Sequence, residues 1–308
     1  MKISEKLQFI IKISDLTQEK LANQLKVSFA TLNSWINERS IPHQRNQKLI
    51  DDLYRQYTGQ TKIPDNVLIA KKELILTKSK KYQNIINSIV KRQDLFDQFV
   101  LSLTYNSNSI EGSTLTENET RAILFDNASI PHKQVIEHLE AKNHQTALNY
   151  LFSQTNRNLI ISEDIILKLH SILMNSIQED AGKYRDHGVR IVGANLATAN
   201  YLKVPKLMQD LVNNINRKEK DLIKQVASIH ASFEQIHPFS DGNGRIGRLL
   251  IQMMLMRYNI APAIIKQEDK RFYYSYLSRA QKTGDTISLE NFICDAILMG
   301  FDLIEKLV

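Results

Sequence analysis

Apolar residues recur through most of this chain at alternating spacings of three and four, which places them on one face of an α-helix. The clearest run has spacings of 4, 3, 4 and 3 and consists of Leu222, Val226, Ile229, Phe233 and Ile236. A second run begins ten residues later and consists of Ile246, Leu249, Leu250, Met253 and Met254. Similar patterns run from residue 289 to 307 and through much of the first half. The sequence therefore predicts an all-α protein.

Residues 182–205 interrupt this rhythm. Val189, Arg190 and Ile191 alternate apolar, polar and apolar between two nearby glycines, the pattern of a half-buried strand. We expect a short strand or a small β-hairpin here, as the one exception to the helical fold.

The N-terminal part predicts a separate helical unit. One helix begins at Thr17, a second runs from Phe29 to Asn37, and Pro42 closes the unit. Residues 18–42 resemble the helix-turn-helix of phage repressors, a fold that also serves as a protein-contact or dimerisation unit.

A stretch rich in turn formers near residues 58–66 marks a domain boundary. We therefore predict a helix-turn-helix domain at 1–58, a linker helix region at 59–90 and a larger helical domain at 91–308.

The positive charge is confined to the first third of the chain. Residues 1–100 carry 17 Lys and Arg against 10 Asp and Glu, whereas the rest carries 23 of each. This asymmetry is compatible with DNA bound through residues 1–58. Residues 1–60 contribute only +3, however, so a solvated Lys-rich connector explains the excess equally well.

A single cysteine, Cys294, excludes a disulfide framework and suits a reducing compartment. No apolar span approaches membrane length, and the apolar run at residues 9–13 is too short for a signal peptide. We expect a soluble cytoplasmic protein with no membrane partner.

The candidate chemistry is concentrated in residues 237–248, between the two apolar runs. Gly242 and Gly244 allow a tight turn, and the helix that follows presents unpaired N–H groups that favour an anion. Arg245 and Arg248 lie three apart on one face and are suited to phosphate oxygens. The stretch predicts a site for a phosphorylated ligand.

Two other residues of the stretch indicate a reaction. Asp241 beside an anion suggests Mg²⁺ between the carboxylate and the phosphates. His237 is the one group here that takes up a proton near neutral pH. Together these residues predict phosphoryl or nucleotidyl transfer to a hydroxyl.

Two alternatives compete with this interpretation. Residues 242–247 also match G-x-G-x-x-G, but the dinucleotide fingerprint follows a strand, and a helical pattern precedes this one. A purely structural glycine turn leaves the two arginines, the aspartate and the histidine without a role. A P-loop is not expected, because no GxxxxGK[ST] occurs.

Residues 237–248 resemble the signature of the Fic family, HPFxxGNGRxxR, at every defined position. The resemblance implies a Fic-type helical core with a hairpin flap, and AMPylation, in which AMP moves from ATP to a Ser, Thr or Tyr hydroxyl of a target protein. It implies His237 as base and Asp241 as the Mg²⁺ ligand. It also implies ATP contacts from Gly242, Asn243, Gly244, Arg245 and Arg248, with Tyr273 or Tyr274 near the adenine.

Residues 107–112 resemble the inhibitory motif [S/T]xxxE[G/N] of self-restrained Fic proteins, with Ser107 and Glu111 at the defined positions. A carboxylate that pairs with Arg248 would deprive the γ-phosphate of its partner. The resemblance also implies that Glu111 orients a water molecule for removal of AMP.

The resemblance further places Val189, Arg190 and Ile191 in the flap that docks the target by backbone pairing. Self-AMPylation and a homodimer are further expectations. Two alternative functions are a DNA-binding regulator whose Fic core only senses nucleotide, and transfer of phosphate or UMP by the same scaffold. We expect surface or packed positions, and no metal, for His132, His138, His144 and His170.

Overall fold

The structure is a computed structural model that describes residues 2–14, 16–58, 63–154, 159–190 and 198–306. Within these ranges the regular structure is helical, and no β-strand occurs. The all-α prediction is confirmed. The helices are α1 (Ile3–Ser14), α2 (Gln18–Gln24), α3 (Phe29–Ile36), α4 (Gln44–Tyr57), α5 (Asp65–Lys80), α6 (Ile85–Val90), α7 (Gln93–Glu111), α8 (Glu117–Asp126), α9 (Val135–Gln154), α10 (Glu163–Leu173), α11 (Val204–Asn216), α12 (Leu222–Ile236), α13 (Asn243–Arg257), α14 (Lys270–Thr283) and α15 (Ile287–Lys306).

Helices α1 to α4 enclose an apolar core of their own. The helices predicted to begin at Thr17 and at Phe29 are present, and each has a side-chain cap. The Thr17 hydroxyl accepts a hydrogen bond from the Lys20 N–H at 3.2 Å, and the Ser28 hydroxyl accepts one from Thr31 at 3.1 Å. The buried residues of this core are Leu7, Ile10, Leu21, Ala22, Leu25, Leu32, Trp35, Ile36 and Ile50. The likeness of this unit to a repressor helix-turn-helix, and its binding to DNA, remain predictions.

Helices α5 to α15 share a second, larger core. Helices α5 and α6 belong to it, because Leu68, Ile75 and Ile89 are buried within it. A charged contact also joins α5 to this core: the Lys72 ammonium lies 2.6 Å from Asp221 at the start of α12 and 2.5 Å from Glu290 of α15. The predicted boundaries at 58 and 90 remain predictions, but the helices of the linker region are packed against those that follow.

Helix α13 runs through the middle of the larger core. From Arg245 to Arg257 every residue is buried, whereas a helix at the protein surface buries one stripe only. It packs against α7, α9, α10 and α12. Its polar first turn must therefore find partners on those helices, since buried backbone and side-chain polar groups require hydrogen bonds.

The strand predicted around residue 190 is wrong for the residues that the structure describes. Val189 and Arg190 lie in irregular backbone, and Ile191 lies outside the described residues. The carbonyl of Val189 accepts a hydrogen bond from the Thr198 hydroxyl at 2.8 Å, so a side chain takes the place that a neighbouring strand would occupy in a ladder. Three alternating residues were too few to specify a strand.

Cys294 is buried in α15 as a free thiol. Among the helices described, none combines the length and the apolar character needed to cross a membrane.

Three histidines packed near α13 are almost completely buried: His144, His170 and His230. Burial lowers the pKa of His144 and of His230 to about 3, and that of His170 to about 4. Burial also raises the pKa of Glu234 in α12 to about 8. In the native protein at neutral pH, the imidazoles are therefore neutral and this carboxyl is mostly protonated.

We expect mild acid to destabilise the fold. The unfolded histidines take up protons below their ordinary pKa of about 6.5, so stability present above that pH is lost as the pH falls towards 3–4. Glu234 has the opposite effect. Between pH 8 and its unfolded pKa of about 4.5, it binds a proton in the folded protein but not in the unfolded chain, so it adds stability as the pH falls through this range. The free energy of unfolding, measured in urea, should fall by about 2 kcal/mol between pH 6 and pH 5.

The variant Glu234→Gln serves as the comparison. Its glutamine side chain cannot bind the proton that stabilises the folded wild type in this range. The free energy of unfolding of the variant should therefore fall by about 1 kcal/mol more than that of the wild type between pH 6 and pH 5. A free energy of unfolding that stays constant or rises between pH 6 and pH 5 would show that the histidines are not held neutral.

Candidate active site

The loop that leads into α13 is held in shape from within. The Phe239 ring is fully buried, and its backbone N–H and C=O both bond to the side chain of Asn243, at 2.9 and 2.8 Å. The His170 ring stacks on Phe239 with centroids 3.7 Å apart. Its Nδ1 accepts a hydrogen bond from the Gly182 N–H at 2.8 Å, so its Nε2 carries the proton and donates to the Asp241 carbonyl at 3.1 Å. The side chain of Asn243 stabilises the loop, and the predicted contact of this residue with ATP stays a prediction.

The first turn of α13 has the geometry that favours an anion. Gly242 precedes the helix with a φ of 77°, in the left-handed region that glycine adopts without strain. The amides of Asn243, Gly244 and Arg245 have no acceptor within their helix, which concentrates positive potential at this end. Gly242 itself donates to the Asp241 carboxylate at 2.6 Å. The glycines therefore lie where the sequence predicted, at the start of a buried helix.

The carboxylate of Glu111 lies against this turn. A methyl group added at Gly244 would collide with its Oε1, so the backbone and the carboxylate approach closely only because residue 244 has no side chain. Glu111 is the last residue of α7, and the left-handed Gly112 after it ends that helix at this point. The acidic side chain thus takes the position of an anion at the helix start.

Arg248, one turn further into α13, is bonded to the same helix α7. Its Nη2 donates to the Glu111 Oε1 at 2.7 Å and to the Ser107 carbonyl at 2.9 Å, and its Nε donates to the Ser107 hydroxyl at 3.0 Å. Ser107 and Glu111 lie four residues apart and therefore face α13 from one side of α7. The structure brings together all three residues of the predicted inhibitory contact.

Burial alone would lower the pKa of Arg248, but the adjacent Glu111 carboxylate raises it above its ordinary value. The guanidinium therefore stays charged although it is almost fully buried. Its Nη1 has no hydrogen-bond partner in the described structure, which leaves one buried donor for a ligand oxygen.

Arg245 occupies a different environment from Arg248. Its Nη1 donates to the Glu140 carboxylate of α9 at 2.6 Å, and its Nη2 lies 3.4 Å from Asp241. Its side chain is only 3% exposed, whereas that of Asp241 is 56% exposed. Arg245 therefore contacts Asp241 and Glu140 in this structure, and its predicted contact with the phosphates stays a prediction.

His237 ends α12 in a left-handed conformation, with a φ of 52° that is strained for a residue with a side chain. Its Nδ1 lies 3.3 Å from the Glu234 carbonyl, an acceptor that assigns the proton to Nδ1 and leaves Nε2 as the basic nitrogen. Burial lowers the pKa of His237, and the nearby Arg185 cation lowers it further. The imidazole is therefore neutral near pH 7, the state that a general base requires.

Of the two candidate tyrosines, only one faces outward. Tyr273 is buried, and its hydroxyl lies 2.6 Å from the Nε2 of His230, so it belongs to the core between α12 and α14. Tyr274 is 40% exposed and contacts Tyr273 with ring centroids 5.2 Å apart. Adjacent residues of one helix point in different directions, so only Tyr274 remains a candidate for the predicted contact with the adenine.

Asp241 is the only predicted metal ligand, and among the described residues no cluster of three or more acidic, histidine or cysteine side chains could hold a metal ion. A lone, half-exposed carboxylate at an anion site nevertheless suits Mg²⁺, which commonly takes one or two protein carboxylates together with phosphate oxygens and water. The donor set is compatible with a metal that arrives with a nucleotide.

The sequence did not identify Glu140, Arg185 or Glu234 as residues of the site. Glu234 could have been noticed, because it lies beside the apolar stripe of α12 and one turn before His237. Glu140 lies 105 positions from Arg245, and no local pattern connects the two. Arg185 is buried against backbone carbonyls, which a sequence does not display.

Comparison with known proteins agrees with this geometry. Residues 160–255 match the Fic/DOC family. A protein adenylyltransferase Fic of Nematostella vectensis is 34% identical over 201 residues, which cover 61% of this chain and 45% of that protein. A protein adenylyltransferase Fic of Aedes aegypti is 32% identical over 204 residues, covering 65% of this chain and 40% of that protein. The chain thus spans less than half the length of these relatives.

Two solved structures share the fold. A Fic domain containing signaling protein from Bacteroides thetaiotaomicron has a TM-score of 0.68 at 24% identity, over 76% of this chain and 97% of that one. Fic-1 from C. elegans also has a TM-score of 0.68, at 22% identity, over 98% of this chain and 88% of that one. The chain therefore has the fold of these structures, its residues 160–255 match the Fic/DOC family, and it is similar in sequence to protein adenylyltransferases Fic.

Proposed function

We propose that this protein transfers AMP from ATP to a Ser, Thr or Tyr hydroxyl of a target protein, and that Glu111 restrains the reaction. The observation that carries the proposal is the position of the Glu111 carboxylate, which lies against the first turn of α13 and holds Arg248 at 2.7 Å. An acid placed on an anion site, and paired with the arginine that belongs to that site, acts as a substitute for a phosphate group.

The anion site would bind the triphosphate in two parts. The free amides at the start of α13 suit the α- and β-phosphates, since they are fixed dipoles that need no reorganisation. Arg248 suits the γ-phosphate once Glu111 has moved away, and its unpartnered Nη1 supports a second phosphate contact. Asp241 would hold Mg²⁺, which supplies neutralising charge beside the phosphates.

His237 would act as the base. Its Nε2 accepts the proton of the attacking hydroxyl as the hydroxyl oxygen forms a bond to the α-phosphorus. The bond between the α-phosphorus and its bridging oxygen breaks in line, and pyrophosphate leaves with the electron pair. The hydrogen bond from Nδ1 to the Glu234 carbonyl supports this role, because it stabilises the imidazolium that forms.

The same groups could also reverse the modification. A water molecule oriented by the Glu111 carboxylate would attack the phosphorus of the AMP-modified side chain and give its proton to that carboxylate. The bond between the phosphorus and the side-chain oxygen would break, and a proton held on Nε2 of His237 would pass to the departing oxygen. The closeness of Glu111 to the start of α13 supports this second reaction, in which AMP and the free hydroxyl are the products.

Removal of the Glu111 carboxylate should release the enzyme. With ATP labelled at the α-phosphate, Glu111→Gly should label protein about 10- to 100-fold faster than the wild type, the factor that corresponds to one charge-assisted hydrogen bond of about 1.5–3 kcal/mol. Glu111→Gln keeps the volume without the charge, so its rate should lie between the two. His237→Ala should give no label.

Label at the γ-phosphate provides the control, because nucleotidyl transfer leaves that phosphate in pyrophosphate. Protein labelled from the γ-position and not from the α-position would indicate phosphate transfer instead. The absence of label from either position in Glu111→Gly, together with retention of DNA by the chain, would favour a regulator that only senses nucleotide.

The reaction should remain active below the usual pH range of a histidine base. Because burial and Arg185 lower the pKa of His237, the fraction of neutral imidazole stays high at pH 6.5 and falls only at more acidic pH. The rate of label transfer by Glu111→Gly, plotted against pH, should have its acid limb below about 6.5. An acid limb above pH 7 would contradict the assignment of His237 as a buried neutral base.

A further inference from the structure

Arg185 is a buried cation whose hydrogen bonds all go to backbone carbonyls. It is 3% exposed, and among the described residues no carboxylate lies within ion-pair distance of it. Its Nε donates to the His237 carbonyl at 2.7 Å, and its Nη1 donates to the His187 carbonyl at 2.6 Å. Its Nη2 donates to the carbonyls of Ala199 at 2.6 Å and Ile236 at 3.3 Å. A charge that is buried without a neighbouring acid has a large desolvation cost, which these hydrogen bonds must offset.

These acceptors belong to two different parts of the described chain. His237 and Ile236 form the C-terminal end of α12, where the last carbonyls lack helical partners and attract a cation. His187 and Ala199 lie on either side of Val189 and Arg190, which the sequence predicts to lie in the target-docking flap. One planar guanidinium thus joins the backbone of the base to both sides of this segment.

Two backbone hydrogen bonds reinforce the same junction. The Arg185 N–H donates to the Pro238 carbonyl at 2.9 Å, directly after His237. The Ala199 N–H donates to the Gln235 carbonyl at 3.3 Å, two residues before His237. His237 is held in a left-handed conformation between these points, although that conformation is unfavourable for a histidine.

We propose that Arg185 is a positioning residue for the transfer reaction, which holds the backbone of His237 in its strained conformation and fixes His187 and Ala199 relative to it. This inference rests on the proposed function. It means that one side chain fixes the backbone of the base relative to His187 and Ala199, which holds Nε2 where it can meet the acceptor hydroxyl at reacting distance.

The fork and the charge of Arg185 make separable contributions. The planar, forked shape of the guanidinium fixes the positions of the backbone, because it allows one side chain to bond to four carbonyls at once. The charge acts on the base, because a cation beside His237 disfavours the imidazolium and lowers its pKa together with burial. Arg185→Lys keeps the charge and loses the fork, whereas Arg185→Met loses both.

The test combines nuclear magnetic resonance with kinetics, each in a Glu111→Gly background. The His237 ring signal, followed against pH, should show an unchanged pKa in Arg185→Lys and a raised pKa in Arg185→Met. The kcat for transfer of α-label should fall on the order of 10²-fold in both variants, the effect of a misplacement of about 1 Å. The KM for ATP should stay within about twofold, since the α13 site is intact.

Arg257→Met is the matched control. Arg257 is also buried, and it bonds to the Ile215 carbonyl at 2.8 Å and to the Asn216 side chain at 2.9 Å, at the far end of α13. Its loss should lower thermal stability without changing the His237 pKa or the kcat of the folded fraction.

Three outcomes would overturn the proposal. The His237 pKa could be the same in Arg185→Met as in the parent, kcat could fall no further than in Arg257→Met, or kcat and KM could change in proportion. If Arg185→Met does not fold, the kcat of Arg185→Lys decides, and full activity there would overturn the positioning role. If the parent transfers no label, the function proposed above fails, whereas the ring titration still tests the effect of Arg185 on His237.

Discussion

The interaction on which this site depends is the contact of one carboxylate with the start of one helix. Glu111 lies where the unpaired amides of α13 favour an anion, and it holds the buried Arg248 at 2.7 Å. Neither partner would be stable there alone, because an isolated charge in the interior carries a large desolvation cost. As a pair, the carboxylate and the guanidinium compensate each other's charge. In the proposed function, a triphosphate supplies the negative charge at this place instead. In that function, restraint and catalysis use the same few atoms, and the closeness of approach is set by the missing side chain of Gly244.

The burial of α13 explains why the surrounding helices carry so many polar side chains. Helix α9 supplies Glu140 for Arg245, and α10 supplies His170 for the loop. Each of these contacts orients a group that faces the anion site without itself reaching it. Buried hydrogen bonds thus stabilise the loop before α13, which is where the proposed base, His237, lies.

The local part of this arrangement could be predicted from the sequence, and the non-local part could not. The spacing of apolar residues in 222–254 predicted both helices of the site, and the twelve-residue motif at 237–248 predicted the turn between them. The pairing of Glu111 with Arg248 was accessible through the resemblance of residues 107–112 to a known motif. Arg185 and Glu140 were not accessible, because their partners lie far away in sequence or are backbone atoms. The short alternation at Val189 predicted a strand that the described backbone does not form, and the choice between Tyr273 and Tyr274 required knowledge of which face of α14 meets the core.

The most direct test of the account is a comparison of nucleotide affinities by calorimetry. ATP and AMP both reach the start of α13, but only ATP carries the γ-phosphate that would compete with Glu111 for Arg248. The account predicts that Glu111→Gly binds ATP at least about tenfold more tightly than the wild type, whereas the affinity for AMP changes by less than about twofold. Equal changes for the two nucleotides, or no change for either, would contradict the claim that this carboxylate stands in for a phosphate.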